Sequence, residues 1–417
     1  MKDLFEEIFL TIRANKQRTF LTGFSIAWGI FMLIILLGAG NGLQNGMMQG
    51  FNYMSKNSMS IHPGVTSMPY KGLQKGRRLQ LKQNDADFLK THLKNIAEFS
   101  AVYQKWSISL IRGKDVVSTS MSGVEPGYEV MRNLIISSGR FVNNTDNRES
   151  RKVIVIHSKT AGVLFPNENS IGQYVQINQV PFQIVGIYEE EGGGGNRQPE
   201  VYIPLNTAYT IFNPDKNVSN ISFTVTGVNN SEESEIYTKE VRQLLAQRLQ
   251  FDPEDTNALW IHDNLSSYMQ AQTIFNGIAL FVWIIGIGTL IAGIVGVSNI
   301  MLITVKERTH EFGIRKALGA TPRSILRLVV VESLTITTMF GYIGLLLGIG
   351  LTEGVASILA KTGQAATDKP EIFVNPTVDL GVVLAATAIL ILAGAIAGYI
   401  PAKRAVNVKP IEALQHK

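Results

Sequence analysis

The side chains that could do chemistry in this sequence are few and far apart. The chain has no cysteine and only six histidines, which excludes thiolate catalysis and a metal site with Cys ligands. The HExxH pattern of zinc peptidases, the GxSxG pattern of serine hydrolases and the GxxxxGK[ST] loop that cradles nucleotide phosphates do not occur. We therefore expect these 417 residues to contain no catalytic, cofactor-binding or metal-binding site and not to hydrolyse ATP themselves.

Two carboxylates lie inside a long apolar stretch. Glu332 is about two helical turns into that stretch, and Glu353 lies near its far end. A proton relay across a membrane would need more ionisable groups than these. For Glu332 we favour a role in helix packing or at an interface over a role in transport, and these residues alone leave both open.

Charged residues are dense in the segment 306–322, which predicts a short amphipathic helix followed by a turn. Glu311 and Arg315 stand at the i,i+4 spacing of an ion pair. The predicted apolar edge consists of Phe312, Ile314 and Leu318. The residues expected to end this helix and begin the next are Gly319 as a left-handed cap, Thr321 as an N-cap and Pro322 in the first turn. Such a helix-turn-helix could receive force from a motor protein, and a basic loop without a partner is the alternative.

The elements that must hold this segment are long and apolar. The mean hydropathy is +0.13 and only 17% of the residues are charged, which is unusual for a soluble chain of this length. The predicted transmembrane helices are residues 20–42, 273–304, 324–359 and 377–401, because each stretch can cross about 30 Å of hydrocarbon. A cleaved signal peptide is the alternative for the first stretch, but its length and the charged residues before it favour a retained anchor.

The distribution of Lys and Arg predicts the orientation, because basic residues stay on the cytoplasmic side. The segments 1–19, 305–323 and 402–417 are rich in Lys and Arg, whereas the segment 360–376 has two basic and two acidic residues. We expect both termini in the cytoplasm, with residues 43–272 and the short loop 360–376 outside. Residues 1–19 also predict an amphipathic helix at the membrane surface, with a cytosolic extension of the first transmembrane helix as the alternative. The net charge of +5 then belongs to cytoplasmic rims and gives no support for nucleic-acid binding.

The segment 43–272 predicts an α+β domain. Helices are expected at 85–98 and 231–249, and a subdomain is expected to form from both ends of the segment, with a β-rich insertion at 116–214. The predicted strands are 153–156, 174–177, 182–187, 201–203 and 221–225. Gly192 to Gly195 predict a flexible loop, for which a solvated hairpin tip is favoured over a partner contact.

Small residues recur at helix-packing spacing in the last three predicted spans. Such spacing favours close approach of helices, either within one chain or between chains. These residues are Gly288, Ala292, Gly296, Gly344, Gly348, Gly394 and Gly398. Because glycine is frequent in membrane helices, the spacing alone does not specify a dimer.

Two cytoplasmic segments carry the resemblance of this sequence to a known family. Residues 306–320 closely resemble the signature of the MacB and FtsX family of ABC permeases, and residues 399–405 with 410–414 are similar to its carboxyl-terminal signature. The matching residues of the second signature are Pro401, Ala402, Arg404, Pro410, Glu412, Ala413 and Leu414. Weaker similarities are at 38–42, 138–141, 185–187 and 201–204. MacB itself carries a fused ATPase domain and these 417 residues contain none, so the resemblance is to the split arrangement with a separate ATPase subunit.

The resemblance implies a permease subunit of an ABC transporter in the bacterial inner membrane, with four transmembrane helices and an extracytoplasmic α+β domain between the first two. It implies a homodimer or heterodimer on which ATPase subunits, using ATP and Mg, push from the cytoplasm, a coupling called mechanotransmission. Export of antibiotics, peptides or other periplasmic substrates, with a membrane-fusion adaptor and an outer-membrane channel, is the first interpretation. An FtsX-like regulator of cell-wall hydrolases and a lipoprotein-release permease are the alternatives. The implied contacts with the ATPase subunit are Lys306, Glu307, Arg308, Glu311, Phe312, Ile314, Arg315, Lys316 and Leu318.

Overall fold

The computed structural model describes residues 16–51, 54–166, 168–190, 199–363 and 373–407. In chain order its helices are α1 (Lys16–Gln49), α2 (Gln83–His92), α3 (Tyr128–Met131), α4 (Asn144–Arg148), α5 (Ser158–Leu164), α6 (Leu205–Phe212), α7 (Ser231–Leu249), α8 (Asn264–Glu307), α9 (Thr309–Ala317), α10 (Pro322–Gly363) and α11 (Leu380–Val406). Its strands are β1 (Ser58–Pro63), β2 (Leu81–Lys82), β3 (Ile96–Arg112), β4 (Asp115–Val124), β5 (Leu134–Gly139), β6 (Val153–His157), β7 (Tyr174–Ile177), β8 (Val180–Glu190), β9 (Glu200–Pro204), β10 (Asn217–Val218), β11 (Asn220–Val225) and β12 (Leu259–Asp263).

The described residues form two compact units. The helical unit comprises the chain up to Gly46 and from Ile274 onward, and the mixed unit comprises Met47–Thr273. Helices α1, α8, α10 and α11 are long and apolar enough to cross a membrane. Such helices suit lipid because their backbone hydrogen bonds are satisfied within each helix. The predicted fold class, four membrane helices with an α+β domain between the first and the second, is therefore confirmed.

Glycines let helices of the helical unit approach one another closely. A methyl group at Gly344 of α10 would lie 2.2 Å from the carbonyl oxygen of Ala27 in α1. A methyl group at Gly398 of α11 would lie 2.7 Å from Ser333 Cβ of α10. The Ser333 hydroxyl also donates a hydrogen bond of 3.1 Å to the carbonyl oxygen of Gly394 in α11. Helices α10 and α11 therefore pack as a tight pair.

The mixed unit is built on a ten-stranded sheet. Its strand order is β12-β1-β11-β3-β4-β9-β6-β8-β5, and β7 pairs with β3 and β8. The long strand β3 pairs with β11 through Ile96–Val102 and with β4 through Tyr103–Arg112. Because β1 lies between β11 and β12, the two ends of the segment meet in the sheet. Met59, Leu89 and Leu245 belong to the buried apolar cluster that joins this part of the sheet to α2 and α7.

The central part of the mixed unit has an apolar cluster of its own. Leu110, Ile154, Phe182 and Ile203 are fully buried in it, on strands β3, β6, β8 and β9. The predicted subdomain from both ends of the segment is therefore present. The predicted β-rich insertion shares β3 with that subdomain, so one continuous sheet runs through both.

The predicted helix 85–98 is wrong at its end. Helix α2 ends at His92, and residues 96–98 begin β3. Leu93 is already extended, with ψ 138°, and Asn95 has a φ of +61°. A left-handed residue reverses the chain and cannot continue a right-handed helix.

The remaining predicted elements differ in how well they match. Helix 231–249 and strand 174–177 match α7 and β7. Helices α1 and α8 extend beyond the predicted spans 20–42 and 273–304. The strands absent from the prediction are β1, β2, β3, β4, β5, β10 and β12. The predicted surface helix before residue 16 and the loop Gly192 to Gly195 lie outside the described residues.

Candidate functional site

A single residue separates helix α9 from α8. Arg308 has φ −92° and ψ 13°, outside the α-helical region, so helical geometry is interrupted there. Helix α9 ends before Gly319, which has a φ of +95°. Ala320 N donates to Arg315 O and Gly319 N donates to Lys316 O, each at 3.0 Å. These two bonds satisfy the last carbonyl groups of the helix, and the left-handed conformation explains why a glycine stands here.

Helix α10 begins immediately after this turn. Thr321 Oγ1 accepts a hydrogen bond of 3.4 Å from the backbone N–H of Ser324. Pro322 occupies the first turn, where its missing N–H costs nothing and its fixed φ suits the helix. The connection between α9 and α10 is therefore short and capped on both sides, so α9 is a defined element and not an irregular loop.

The side chains of the α9 region divide into two faces. Those of the exposed face are Lys306, Glu307, His310, Ile314, Ala317 and Leu318. Ile314 is 41% exposed and Leu318 is 83% exposed. Residues four apart on a helix lie on one side, so these two apolar side chains form an exposed edge flanked by charged residues.

Phe312 lies on the opposite face. Its side chain is only 1% exposed, and it belongs to a buried cluster with Ile325 of α10 and Ala402 of α11. Residues two apart on a helix point about 200° apart, so Phe312 and Ile314 cannot share a face. Phe312 therefore packs α9 against the helical unit and is not part of the exposed apolar edge predicted from the sequence.

Four charged side chains connect α9 to α10. Arg308 donates from Nε to Glu311 Oε2 at 2.8 Å and from Nη2 to Glu311 Oε1 at 3.0 Å. Its third nitrogen, Nη1, donates to Glu332 Oε2 of α10 at 3.3 Å. Arg315 Nη2 donates to Glu311 Oε1 at 2.8 Å, which confirms the predicted i,i+4 pair. The guanidinium of Arg308 thus bridges a carboxylate on α9 and a carboxylate on α10.

The two arginines favour the ionised form of Glu311. The hydrogen bond from Arg308 lowers the pKa of Glu311; burial opposes that effect, and the nearby charges of Arg308 and Arg315 add to it. Glu332 is 4% exposed, and a buried carboxylate is costly unless a cation compensates it. The position of Glu332 therefore fits the packing role weighed for it, with Arg308 as an ion-pair partner.

The carboxyl-terminal motif lies against the same helix. Lys316 Nζ donates a hydrogen bond to the carbonyl oxygen of Val406 at the end of α11. Pro401 and Ala402 are buried, whereas Arg404 is exposed. The structure therefore brings together two motifs that are some ninety residues apart in the chain. Pro410, Glu412, Ala413 and Leu414 lie outside the described residues.

The α9 region presents an exposed surface that is held on its other side by packing and hydrogen bonds, and its described side chains form no catalytic arrangement. Within the described ranges, no three His, Asp or Glu side chains are grouped closely enough to hold a metal ion. Helix α9 has an exposed apolar edge on one face, and its other face contacts α10 and α11. The contact between Arg308 and Glu332 was not predicted, although a carboxylate in an apolar stretch signals that a nearby cation must balance it.

Family models and known proteins match both parts of the chain. The model for the MacB-like periplasmic core domain matches residues 19–244, and the model for the FtsX-like permease C-terminal region matches residues 283–410. The macrolide export ATP-binding/permease protein MacB of Azoarcus sp. is 29% identical over 99% of this chain and 60% of its own length. That of Brucella melitensis is 29% identical over 97% of this chain and 59% of its own length. The chain thus spans about three fifths of the length of these relatives.

Two solved structures are similar to about half of the chain. The periplasmic region of MacB from Actinobacillus actinomycetemcomitans is 20% identical, with a TM-score of 0.43, over 52% of this chain and 94% of that one. The extracellular domain of the ABC-type transporter YknZ from Gram-positive bacteria is 19% identical, with a TM-score of 0.41, over 49% of this chain and all of that one.

Proposed function

This chain belongs to the family of MacB-like and FtsX-like ABC permeases, and from that premise we propose that it is a permease subunit moved by an ATPase subunit on its cytoplasmic side. ATP and Mg would be used by the ATPase, and this chain would bind neither. The relatives are named ATP-binding/permease proteins, so each name joins an ATP-binding part to a permease part. This supports an ATPase partner for the present chain. Movement of the permease helices would then reach the extracytoplasmic domain, which is mechanotransmission.

One observation carries this proposal: the two faces of α9. The exposed edge of Ile314 and Leu318 has the character of an interface centre, apolar and surrounded by charged side chains. The other face is fixed by Phe312 in the apolar cluster and by the Arg308 bridge. A helix that is anchored on one side and apolar on the other is suited to receive force.

Export is the activity we propose for the whole assembly. The relatives are named for macrolide export, and the present substrate would be an antibiotic, a peptide or another periplasmic compound. The assembly would contain two permease copies in the bacterial inner membrane, with both termini in the cytoplasm. A membrane-fusion adaptor and an outer-membrane channel would complete the export path.

The test is capture of the ATPase by variants of α9. The tagged chain is purified in mild detergent from its own cells, and the captured Mg-dependent ATPase activity per permease is measured. Ile314→Asp and Leu318→Asp place a carboxylate in a desolvated contact, so each should weaken capture by about 2 kcal/mol or more. Lys306→Gln changes an exposed charge on the same face and should cost less than about 1 kcal/mol.

Phe312→Asp serves as a control for folding. Because Phe312 is buried within the permease, its replacement should lower the yield and the heat stability of the permease itself. Asp variants at positions 314 and 318 that insert normally and still capture the ATPase as well as the wild type would show that the motor binds elsewhere. Nucleotide crosslinking should label the captured subunit and not this chain.

A further inference from the structure

The junction of α8 and α9 is a point at which force could be lost. Helical geometry stops at Arg308 and resumes at Thr309. Only one residue therefore joins the helix that would receive force to a long membrane helix. A push on α9 would bend the chain at this residue unless other contacts held α9 in place.

The Arg308 guanidinium supplies such a contact. Its side chain is 17% exposed and that of Glu332 is 5% exposed, so the pair lies largely away from water. Charge-assisted hydrogen bonds in such surroundings are stronger and more directional than exposed ones. Because Arg308 also holds Glu311 through two hydrogen bonds, its position is fixed relative to α9 as well as to α10.

The receiving end of this contact is rigid. Ser333, next to Glu332, is hydrogen-bonded to Gly394 of α11, and its Cβ lies where a methyl group at Gly398 would have to sit. A displacement of α10 at this level therefore moves α11 with it, since packed helices do not deform continuously.

We infer that Arg308 and Glu332 are a positioning pair that transmits the movement of α9 to the α10–α11 pair. This inference rests on the proposed function. In the absence of the pair, α9 would still present Ile314 and Leu318 to the ATPase, and Phe312 would still hold it in the apolar cluster, but no hydrogen bond from Arg308 would tie it to α10. The ATPase subunit would then still bind, but its movement would no longer be transmitted to α10 and α11.

The experiment measures these two properties on the full chain in nanodiscs with its ATPase. The chain has no native cysteine, so Asn144→Cys in the mixed unit and Lys361→Cys in the helical unit can be labelled for energy transfer. Labelled chain is diluted with unlabelled chain so that each signal comes from one molecule. The first readout is ATPase capture, and the second is the change in energy transfer on adding ATP and vanadate.

Glu332→Gln should keep capture within about twofold of the wild type, because the exposed edge is untouched. It should reduce the population that responds to ATP by about fivefold or more, the lower end of coupling between distant sites. Arg327→Gln is the matched control: it removes an exposed arginine from α10, and its capture and its response to ATP should persist. Arg308→Lys, which keeps a positive charge beside Glu332 and Glu311, should retain at least half of the response.

Each other outcome overturns the inference in a distinguishable way. A full response to ATP in Glu332→Gln means that the pair is not needed for transmission. Loss of capture together with the response means that the pair builds the binding surface and does not transmit. An Arg308→Lys variant as inactive as Glu332→Gln means that attraction between the two charges is not the cause. Failure of the wild-type chain to capture any ATPase would contradict the proposed function itself, and the inference that rests on it.

Discussion

Replacement of Gly344 by alanine is a sharp test of the packing between α1 and α10. The new methyl carbon would lie 2.2 Å from the carbonyl oxygen of Ala27 and 2.9 Å from its Cα. Carbon and oxygen normally approach to about 3.3 Å, so the two helices would have to separate by about 1 Å. Both obstructing atoms belong to the backbone, which cannot move aside as a flexible side chain could.

The expected cost follows from this displacement. Overpacking a well-packed interior typically costs about 1–3 kcal/mol, and a shift of a whole helix belongs at the upper end. Gly350→Ala is the matched control, because it lies in the same helix and a methyl group there meets nothing within 4 Å. Alanine also has a better helix propensity than glycine, by up to about 1 kcal/mol. Gly350→Ala should therefore be neutral or slightly stabilising.

The assay is reversible unfolding of the full chain in nanodiscs or mixed micelles, followed by tryptophan fluorescence. Trp28 lies one residue from Ala27 on α1, so the signal includes the helix that must move. Gly344→Ala should unfold at clearly lower denaturant than the wild type, and Gly350→Ala should not. Equal midpoints for the two variants would refute the close crossing of α1 and α10.

Two further predictions concern orientation and the mixed unit. Because Lys and Arg predict the orientation, Asn144→Cys should react with an impermeant thiol reagent in intact spheroplasts and His310→Cys should not; labelling of His310→Cys with the membrane intact would reverse the topology. Asp255 is buried, which opposes its ionisation, but hydrogen bonds from Ser67, Met68 and Asn257 outweigh burial and lower its pKa. Because the pKa of Asp255 is lower in the folded state than in the unfolded state, its ionisation stabilises the fold at pH values above the unfolded pKa of about 3.9. This stabilisation is lost as the pH falls through the folded pKa. Asp255→Asn should therefore destabilise the mixed unit by about 1–3 kcal/mol at pH 7 and by less below about pH 4, measured by chemical unfolding; a penalty independent of pH would contradict this.

Much of the fold could be predicted because its signals are local. The membrane helices follow from the length of apolar stretches, and α7 follows from apolar spacing over a segment with clear ends. Strands β1 and β4 were not predicted because polar residues, mostly Ser, interrupt their apolar pattern. Strand β1 pairs with β11 and β12, and β4 pairs with β9 as well as with the adjacent β3. The neighbours β11, β12 and β9 come from distant parts of the chain, so spacing within a short segment does not reveal these pairings.

The membrane class, the inserted α+β domain and a short amphipathic helix within 306–322 could be predicted from the amino-acid sequence, because each depends on composition or on spacing within a few turns. The structure begins that helix at Thr309 and ends it at Ala317. Which of its side chains are exposed depends on tertiary packing. It placed Phe312 inside and Ile314 outside, and it brought Glu332 to Arg308 across twenty-four residues. Glycines with the same spacing also differ in their surroundings. A methyl group at Gly344 would meet the backbone of α1, whereas a methyl group at Gly288 would meet nothing within 4 Å. Spacing fixes the face of a helix on which a residue lies, but only the packing of the whole chain determines what that face meets.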